Sequence, residues 1–254
     1  MLPGSRRQRR NVKGTAARPV PRRRGWFSPT FHNPRLLRFC PCPARVCGHR
    51  REWWRDGGQS FIEYIPAENA WNPIDADGYM YIDCLWVSGS FKGHGYSNDL
   101  LTACIEDSKE KGKKGLCILS SAKKKPFLAD PKYLTHKGFS VCDEADNGIQ
   151  LWYLPFTPNE KIPKFKECAR HPHVNKSGYL LFYTSQCPFN AKYVPAVERT
   201  AKEYGIAFKA IHIESKEDAQ NAPTPITTYA LFYNGEYLTN EQMNEAKFLK
   251  LSAR

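Results

Sequence analysis

The sequence lacks any apolar run approaching the roughly 20 residues that a membrane-crossing helix needs, so no spanning segment is expected. Its Arg-rich start has no apolar stretch of the kind a secretory signal carries. The arginine excess there would suit a mitochondrial transit peptide, but the prolines and the missing amphipathic period argue against one. The nine cysteines have no regular spacing. Their odd number argues against a disulfide framework and for a reducing, cytoplasmic setting. No internal repeat is visible. Acidic residues are nearly missing from residues 1–60, two against 15 Lys and Arg, while the rest of the chain holds 23 of each sign. The formal net charge of +13 therefore belongs to an N-terminal arm. Such an arm can bind phosphate backbones without specificity, and the neutral remainder carries no nucleic-acid signature.

Within residues 1–60, arginine clusters (Arg6, Arg7, Arg9, Arg10; Arg22, Arg23, Arg24) alternate with Pro and Gly. Neither a strand nor a helix period is sustained, so the arm reads as disordered. Cys40, Cys42, Cys47 and His49 do not have zinc spacing, because the Cys-x-Cys start has no second Cys-x-x-Cys pair. No metal site is expected.

Order is expected to begin near Phe61. The pattern predicts strands over 61–66 and 80–87, after a turn at 69–78, and a helix over 97–111. In that helix Leu100, Leu101, Cys104, Ile105 and Ser108 share a face, and Gly112 suits the left-handed position that ends it. A strand over 115–119 follows, then a short helix over 131–136 with Pro131 at a favoured first position. Strands over 139–142 and 149–154 close this unit. Cys84, Cys104, Cys117 and Cys142 fall inside these apolar elements and read as small buried hydrophobes. A Pro-, Lys- and His-rich linker follows at 156–176. The last segment predicts a strand over 179–183, a helix over 188–204, a strand over 208–213, a hairpin turning on Asn234-Gly235, and a final helix capped by Asn240. That βαβ…ββα order is the order of a small thioredoxin-like domain.

The chemistry-bearing segment is Lys92-Gly93-His94-Gly95-Tyr96-Ser97, between an apolar strand and an amphipathic helix. Glycines there let backbone N–H groups approach a pyrophosphate, and the helix N-terminus behind them favours negative charge. Lys92 adds a point charge, and His94 adds one when protonated. The segment resembles the Arg/Gln-x-x-Gly-x-Gly/Ala motif of GNAT N-acetyltransferases: Lys92 stands at the first position, Gly95 at the central glycine and Ser97 at the last small position. Leu85-Trp86-Val87 is similar to the family's splayed strand, and Tyr133-Leu134-Thr135-His136-Lys137-Gly138-Phe139 to its helix ending in Gly-Phe. The segment Tyr183–Phe189 and the run Ala222-Pro223-Thr224-Pro225-Ile226-Thr227-Thr228 further resemble the YoaP-like bacterial acetyltransferases.

The resemblance implies an α/β (α+β) fold. It consists of a GNAT acyl-CoA N-acyltransferase core over 61–155, N-terminally incomplete because the family's opening strand and helices find no counterpart, and a YoaP-like, thioredoxin-like domain over 177–254. It implies acetyl-CoA as cosubstrate and an amine-bearing small molecule or protein as acceptor. Leu85, Val87, Lys92, Gly93, His94, Gly95, Tyr96 and Ser97 would contact the cofactor. An N–H near Leu85 would stabilise the thioester oxygen, and a base would remove the amine proton. Asp83, on one strand face with Tyr81 by period 2, is the candidate base, and a hydrogen-bonded strand carboxylate is the alternative. The family's usual thiolate-protonating tyrosine position holds Leu134. Tyr133, about 100° round the helix, is the candidate acid. Cys187, ahead of a helix start where a low-pKa thiol belongs, is a candidate monothiol, since Asn190 stands where a second cysteine would be. Two other functions stay open: a non-catalytic acyl-CoA-binding or interaction protein, and a monothiol redox protein acting through Cys187.

Overall fold

The computed structural model describes residues 49–55 and 58–253, with side chains from residue 59 onward. The arm up to residue 48, with the cysteines of the rejected metal cluster, lies outside the described residues, as does the side chain of His49. The first strand is nevertheless β1 (His49–Arg55), followed by β2 (Gly58–Pro66). They pair antiparallel from His49↔Tyr64 to Arg55↔Gly58. Among the described residues, strand structure therefore begins twelve residues ahead of Phe61, inside the segment that composition alone assigns to the arm. Pairing to a neighbour, which composition does not record, holds those residues.

The chain continues through β3 (Ile74–Asp75), β4 (Tyr79–Gly89), α1 (Tyr96–Glu110), β5 (Gly115–Ser121), α2 (Pro131–His136), β6 (Ser140–Glu144) and β7 (Ile149–Pro155). These build a six-stranded sheet in the order β1-β2-β4-β5-β7-β6. Every neighbouring pair is antiparallel except β4 and β5. That one parallel contact is what α1 makes possible, since parallel neighbours need a crossover. Met80, Ile82, Leu100, Leu101, Cys104, Leu116, Ile118, Leu134 and Phe139 form the core under α1 and α2. The opposite face of the same strands carries Tyr79, Tyr81, Cys117, Leu119, Ile149 and Leu151.

Both helices end as their glycines foretell. Gly112 and Gly138 have φ of 65° and 84°. The N–H of Phe139 reaches the Leu134 carbonyl at 3.0 Å and that of Gly138 reaches Thr135 at 3.0 Å, the paired bonds of a Schellman ending. Asp130 caps α2 by accepting from the Lys132 N–H at 2.9 Å.

Residues 156–176, expected as a linker, are built in. They contain β8 (Lys164–Phe165), which pairs with β3, and α3 (Glu167–Arg170). Asp143 of β6 fastens them: it accepts from the Phe165 N–H at 2.7 Å and takes the Arg170 guanidinium at 3.0 and 2.8 Å. The weak periodicity of this stretch reflects anchoring by a few polar bonds and one buried phenylalanine, Phe165.

The last segment holds β9 (Tyr179–Tyr183), α4 (Asn190–Glu203), β10 (Phe208–His212), α5 (Lys216–Gln220), β11 (Tyr229–Tyr233), β12 (Glu236–Thr239) and α6 (Glu245–Ser252). Its sheet runs β10-β9-β11-β12, with β9 and β10 parallel and the other pairs antiparallel. Asn234 and Gly235 turn the hairpin with φ of 48° and 93°, as a type I′ turn requires. The cap of α6 differs from expectation. Asn244, not Asn240, caps it, accepting from the Lys247 N–H at 2.9 Å. Asn240 is buried, and its amide donates to the Tyr229 carbonyl at 2.7 Å.

The two sheets share a packed boundary. Ile226 is 6% exposed and belongs to the core of Tyr79, Tyr81 and Leu119. Asn72 Nδ2 donates to the Pro225 carbonyl at 2.9 Å, and Gln220 Nε2 to the Ala70 carbonyl at 2.9 Å.

Candidate active site

The site forms where β4 and β5 part. They pair from Tyr79↔Gly115 only as far as Ile82↔Ile118. Beyond that β4 runs on to Gly89 and β5 to Ser121, so from Leu85 to Gly89 the backbone of β4 has no ladder partner on that side among the described residues. Open N–H and C=O groups at the middle of a sheet are a place for an extended ligand to add itself as a strand.

A bulge sits at the parting point. In the pairing with β2, Glu63 faces Cys84 and Tyr64 faces Ile82, which leaves Asp83 as the extra residue. A bulge re-aims the side chains after it. Met80 and Ile82 pack in the core under α1, and so does Leu85, an odd number of residues further on. Trp86 is consequently turned away from that core and is exposed. Leu85 and Val87, expected on the splayed strand, lie on β4 beyond its pairing with β5; the extra residue has no signal in the sequence.

Asp83 is half-buried. Burial first, and the Glu63 carboxylate second, push its carboxyl up to about 7. Tyr81 is buried on the face opposite α1, and its phenol lies well above its ordinary value because of burial and the Asp83 charge. The Asp83 charge disfavours the Tyr81 phenolate, and the bulge at Asp83 interrupts the period-2 alternation from which a shared face was expected. Glu63 is the residue that sequence reasoning missed. It lies on a different strand, and only the register of β2 on β4 brings it near.

The phosphate-type loop follows β4. The N–H groups of Phe91 and Lys92 return to the Ser88 and Gly89 carbonyls at 3.2 and 3.3 Å, and Phe91 is buried beneath Tyr96, ring centroids 4.9 Å apart. Lys92, Gly93, His94 and Gly95 stand exposed above this anchor, while Tyr96 and Ser97 are partly buried. Gly93 and Gly95 both have φ of 82°, and a Cβ on either would meet no atom within 4 Å. Backbone direction, not crowding, requires these glycines, and among the described residues the space over them is open. Gly95 is the N-cap of α1, and no side chain caps that end. An uncapped helix start beneath an open, glycine-lined loop has the donor set and the room that a pyrophosphate needs.

Tyr133 joins this loop from α2. Its hydroxyl donates to the Ser97 carbonyl at 2.9 Å, and burial raises its phenol, with the hydrogen bond to Ser97 pulling the other way. Leu134 is 1% exposed and belongs to the core. The structure therefore gathers Leu85, Tyr133 and the 92–97 loop on the α1 side of the sheet. It sets Asp83 beside Tyr81 and Glu63, both turned to the other side.

Cys187 is remote from this gap in the chain and belongs to the second sheet. It lies in the turn before α4, partly buried, and Gln242 Nε2 donates to its Sγ at 3.1 Å. Asn190 is buried, and its amide donates to the Thr184 carbonyl at 2.9 Å and to the Thr228 carbonyl. The residue at the second-cysteine position thus ties α4 to the ends of β9 and β11. No group of three or more His, Cys, Asp or Glu side chains among the described residues could hold a metal ion.

A single parallel contact that opens into a gap, beside a glycine loop that starts a helix, is the architecture of the GNAT acyltransferase fold. The chain is 39% identical over 191 residues, 75% of its own length and 76% of the relative's, to a protein of Bacillus subtilis (strain 168) named uncharacterized N-acetyltransferase YoaP. The YoaP-like family model matches residues 207–250. The chain belongs to the YoaP-like family. Among solved structures, a Bacillus subtilis acetyltransferase in complex with CoA shares 17% identity at a TM-score of 0.31, covering 43% of this chain and 78% of that one. The PaiA N-acetyltransferase of Thermoplasma acidophilum, in complex with coenzyme A, shares 12% at 0.31, covering 42% and 60%. At these TM-scores the likeness is partial, and the fold rests on strand order and family membership.

Proposed function

We propose that this protein is an N-acetyltransferase that passes the acetyl group of acetyl-CoA to an amine, carried on a small molecule or a protein. The observation that carries this reading is the parting of β4 from β5 after Ile82↔Ile118, directly ahead of the 92–97 loop. In the proposed complex the pantetheine arm pairs with the open edge of Leu85–Val87. The amides of Gly93–Ser97 at the start of α1, with Lys92 and His94, meet the pyrophosphate. The thioester then lies in the gap. Asp83 takes the proton from the incoming ammonium, which must be neutral to attack. An N–H near Leu85 bonds the developing oxyanion. Tyr133 donates to the departing thiolate, turning from the Ser97 carbonyl to do so.

The proposed domain organisation keeps an arm, an acyltransferase part, a connecting segment over 156–176 and a C-terminal part over 177–254. The acyltransferase part opens at His49 instead of residue 61, because β1 and the first residues of β2 pair into its sheet. The order β10-β9-β11-β12, one parallel pair flanked by antiparallel ones, supports a thioredoxin-like reading of the C-terminal part. A cytoplasmic location is proposed from cysteine usage. No helix among the described residues is long and apolar enough to cross a membrane.

A second reading, an acyl-CoA-binding protein without turnover, is favoured by one observation: Leu134 is locked in the core where the family's tyrosine would stand. Calorimetry with acetyl-CoA on the wild type and on Gly95→Trp, followed by an amine screen for released CoA, separates the two. Binding that the substitution abolishes, with CoA release in the screen, supports the enzyme. Such binding with no release for any amine supports the second reading. No binding by folded wild type overturns both.

A further inference from the structure

The second sheet carries a nucleophile, base and carboxylate array that the acetyl-transfer site does not use. β9 and β10 are parallel, with Tyr183 opposite His212, so the two side chains leave the sheet on one side. Their rings stack with centroids 4.7 Å apart and planes 16° apart. The stack fixes the plane of the imidazole, and its two nitrogens then meet different partners. Nδ1 lies 3.0 Å from Glu214 Oε1, and Nε2 lies 2.9 Å from Ser185 Oγ. This polarity suits a general base. A carboxylate on Nδ1 holds the proton there, which leaves the Nε2 lone pair to accept the serine O–H.

Three further features place the array where chemistry is done. Ser185, His212 and Glu214 come from the segments that leave the C-terminal ends of two parallel strands, the end at which α/β sheets carry their sites. The turn holding Ser185 leads into α4, a helix of 14 residues whose start has no side-chain cap; its amides can face a developing negative charge. Ser185 is accessible, and Phe189, 59% exposed on the same turn, offers an apolar surface beside it. None of these residues contributes to either core of the first sheet.

We propose that Ser185, His212 and Glu214 form a second, hydrolytic site for small acyl esters. Ser185 Oγ bonds to the acyl carbon while its proton passes to His212 Nε2. The ester C–O bond then breaks, and the alcohol leaves with that proton. Water attacks the acyl-serine, giving its proton to Nε2. The carboxylic acid departs as Ser185 recovers its proton, so no oxidant or other co-reactant is needed. Ser185 and His212 touch the reacting atoms, while Glu214 is a positioning residue acting through the imidazole.

The test uses the full chain carrying Cys187→Ser, so that thiol reactivity does not mask the serine. Hydrolysis of p-nitrophenyl acetate and labelling by a fluorophosphonate, read by peptide mass, are measured on this parent and on Ser185→Ala, His212→Gln and Glu214→Gln, each checked for an unchanged melting profile. The expected result is a label on Ser185 and turnover above buffer that falls at least ~100-fold in Ser185→Ala and His212→Gln. Glu214→Gln should lower kcat ~10- to 100-fold with KM unchanged, and Glu214→Asp should restore part of it. A folded parent that neither takes the label nor exceeds the buffer rate overturns the proposal, as does a Ser185→Ala variant that retains the rate. The assay contains no acetyl-CoA, so its outcome is independent of the acetyl-transfer reading.

Discussion

Replacing Asp83 with asparagine should make the protein more stable and less active, and the two effects should share a pH dependence. The carboxyl rises from its ordinary 3.8 to about 7 through burial and the neighbouring Glu63. At ~1.36 kcal/mol per pH unit this sets a ceiling of ~4 kcal/mol on the destabilisation caused by the ionised form. Water reaching the half-buried group screens part of that, leaving ~2 kcal/mol. The sign follows from proton uptake. Below 3.8 both folded and unfolded chains hold the proton, and the carboxyl does no harm. Between 3.8 and 7 the unfolded chain gives it up first, so stability is lost as pH rises; above 7 the loss levels off. Asp83→Asn removes this dependence. Thermal melts should coincide near pH 4 and separate in favour of the variant by ~4–8 °C at pH 8, taking 2–4 °C per kcal/mol for a chain of this size. In the transfer assay, wild-type kcat/KM should rise through pH ~7, and the variant should lose ~100-fold or more at pH 8. A variant that melts lower than wild type at pH 8, or a difference that ignores pH, would refute the reasoning. Asp83 would then be a satisfied strand carboxylate.

Tyr133→Phe should cost ~1 kcal/mol through the lost bond to Ser97 and lower kcat ~10- to 100-fold with the acetyl-CoA KM unchanged; unchanged kcat in steady-state assays excludes Tyr133 as the acid. Ile226→Asp puts a charge into the core that joins the two sheets and should destabilise by ~3 kcal/mol or more. Hydrogen exchange should show β5 and β7 losing protection together with β11, and loss confined to β11 would contradict the shared core. Asp143→Ala removes the acceptor of the Phe165 N–H and of Arg170 and should cost ~2–3 kcal/mol. Denaturant melts read this directly, and limited proteolysis should then cut within 156–176 faster than it does in the wild type.

Local chemistry is what the sequence by itself determined. Gly93 and Gly95 announced a turn between β4 and α1, Gly112 and Gly138 the ends of α1 and α2, Pro131 a helix start, and Asn234-Gly235 a hairpin. Each of these depends on the φ a residue tolerates or on bonds spanning fewer than six positions. Continuous apolar runs likewise located β4, β5, β7 and β9 to within about two residues, because these strands are buried on both faces over much of their length. Tertiary structure decided whatever depends on a partner far away in the chain. Whether Asn240 or Asn244 caps α6 turned on the carbonyl of Tyr229, eleven residues from Asn240. Strand β1 and the built-in segment 156–176 exist through pairing and through Asp143, so their own patterns are weak. The bulge that makes Asp83 the odd residue, the nearness of Glu63, the reach of Tyr133 to Ser97 and the meeting of Ser185 with His212 follow from register between strands or packing between helices. Register is set by the fit of whole faces, and no short stretch of sequence records it.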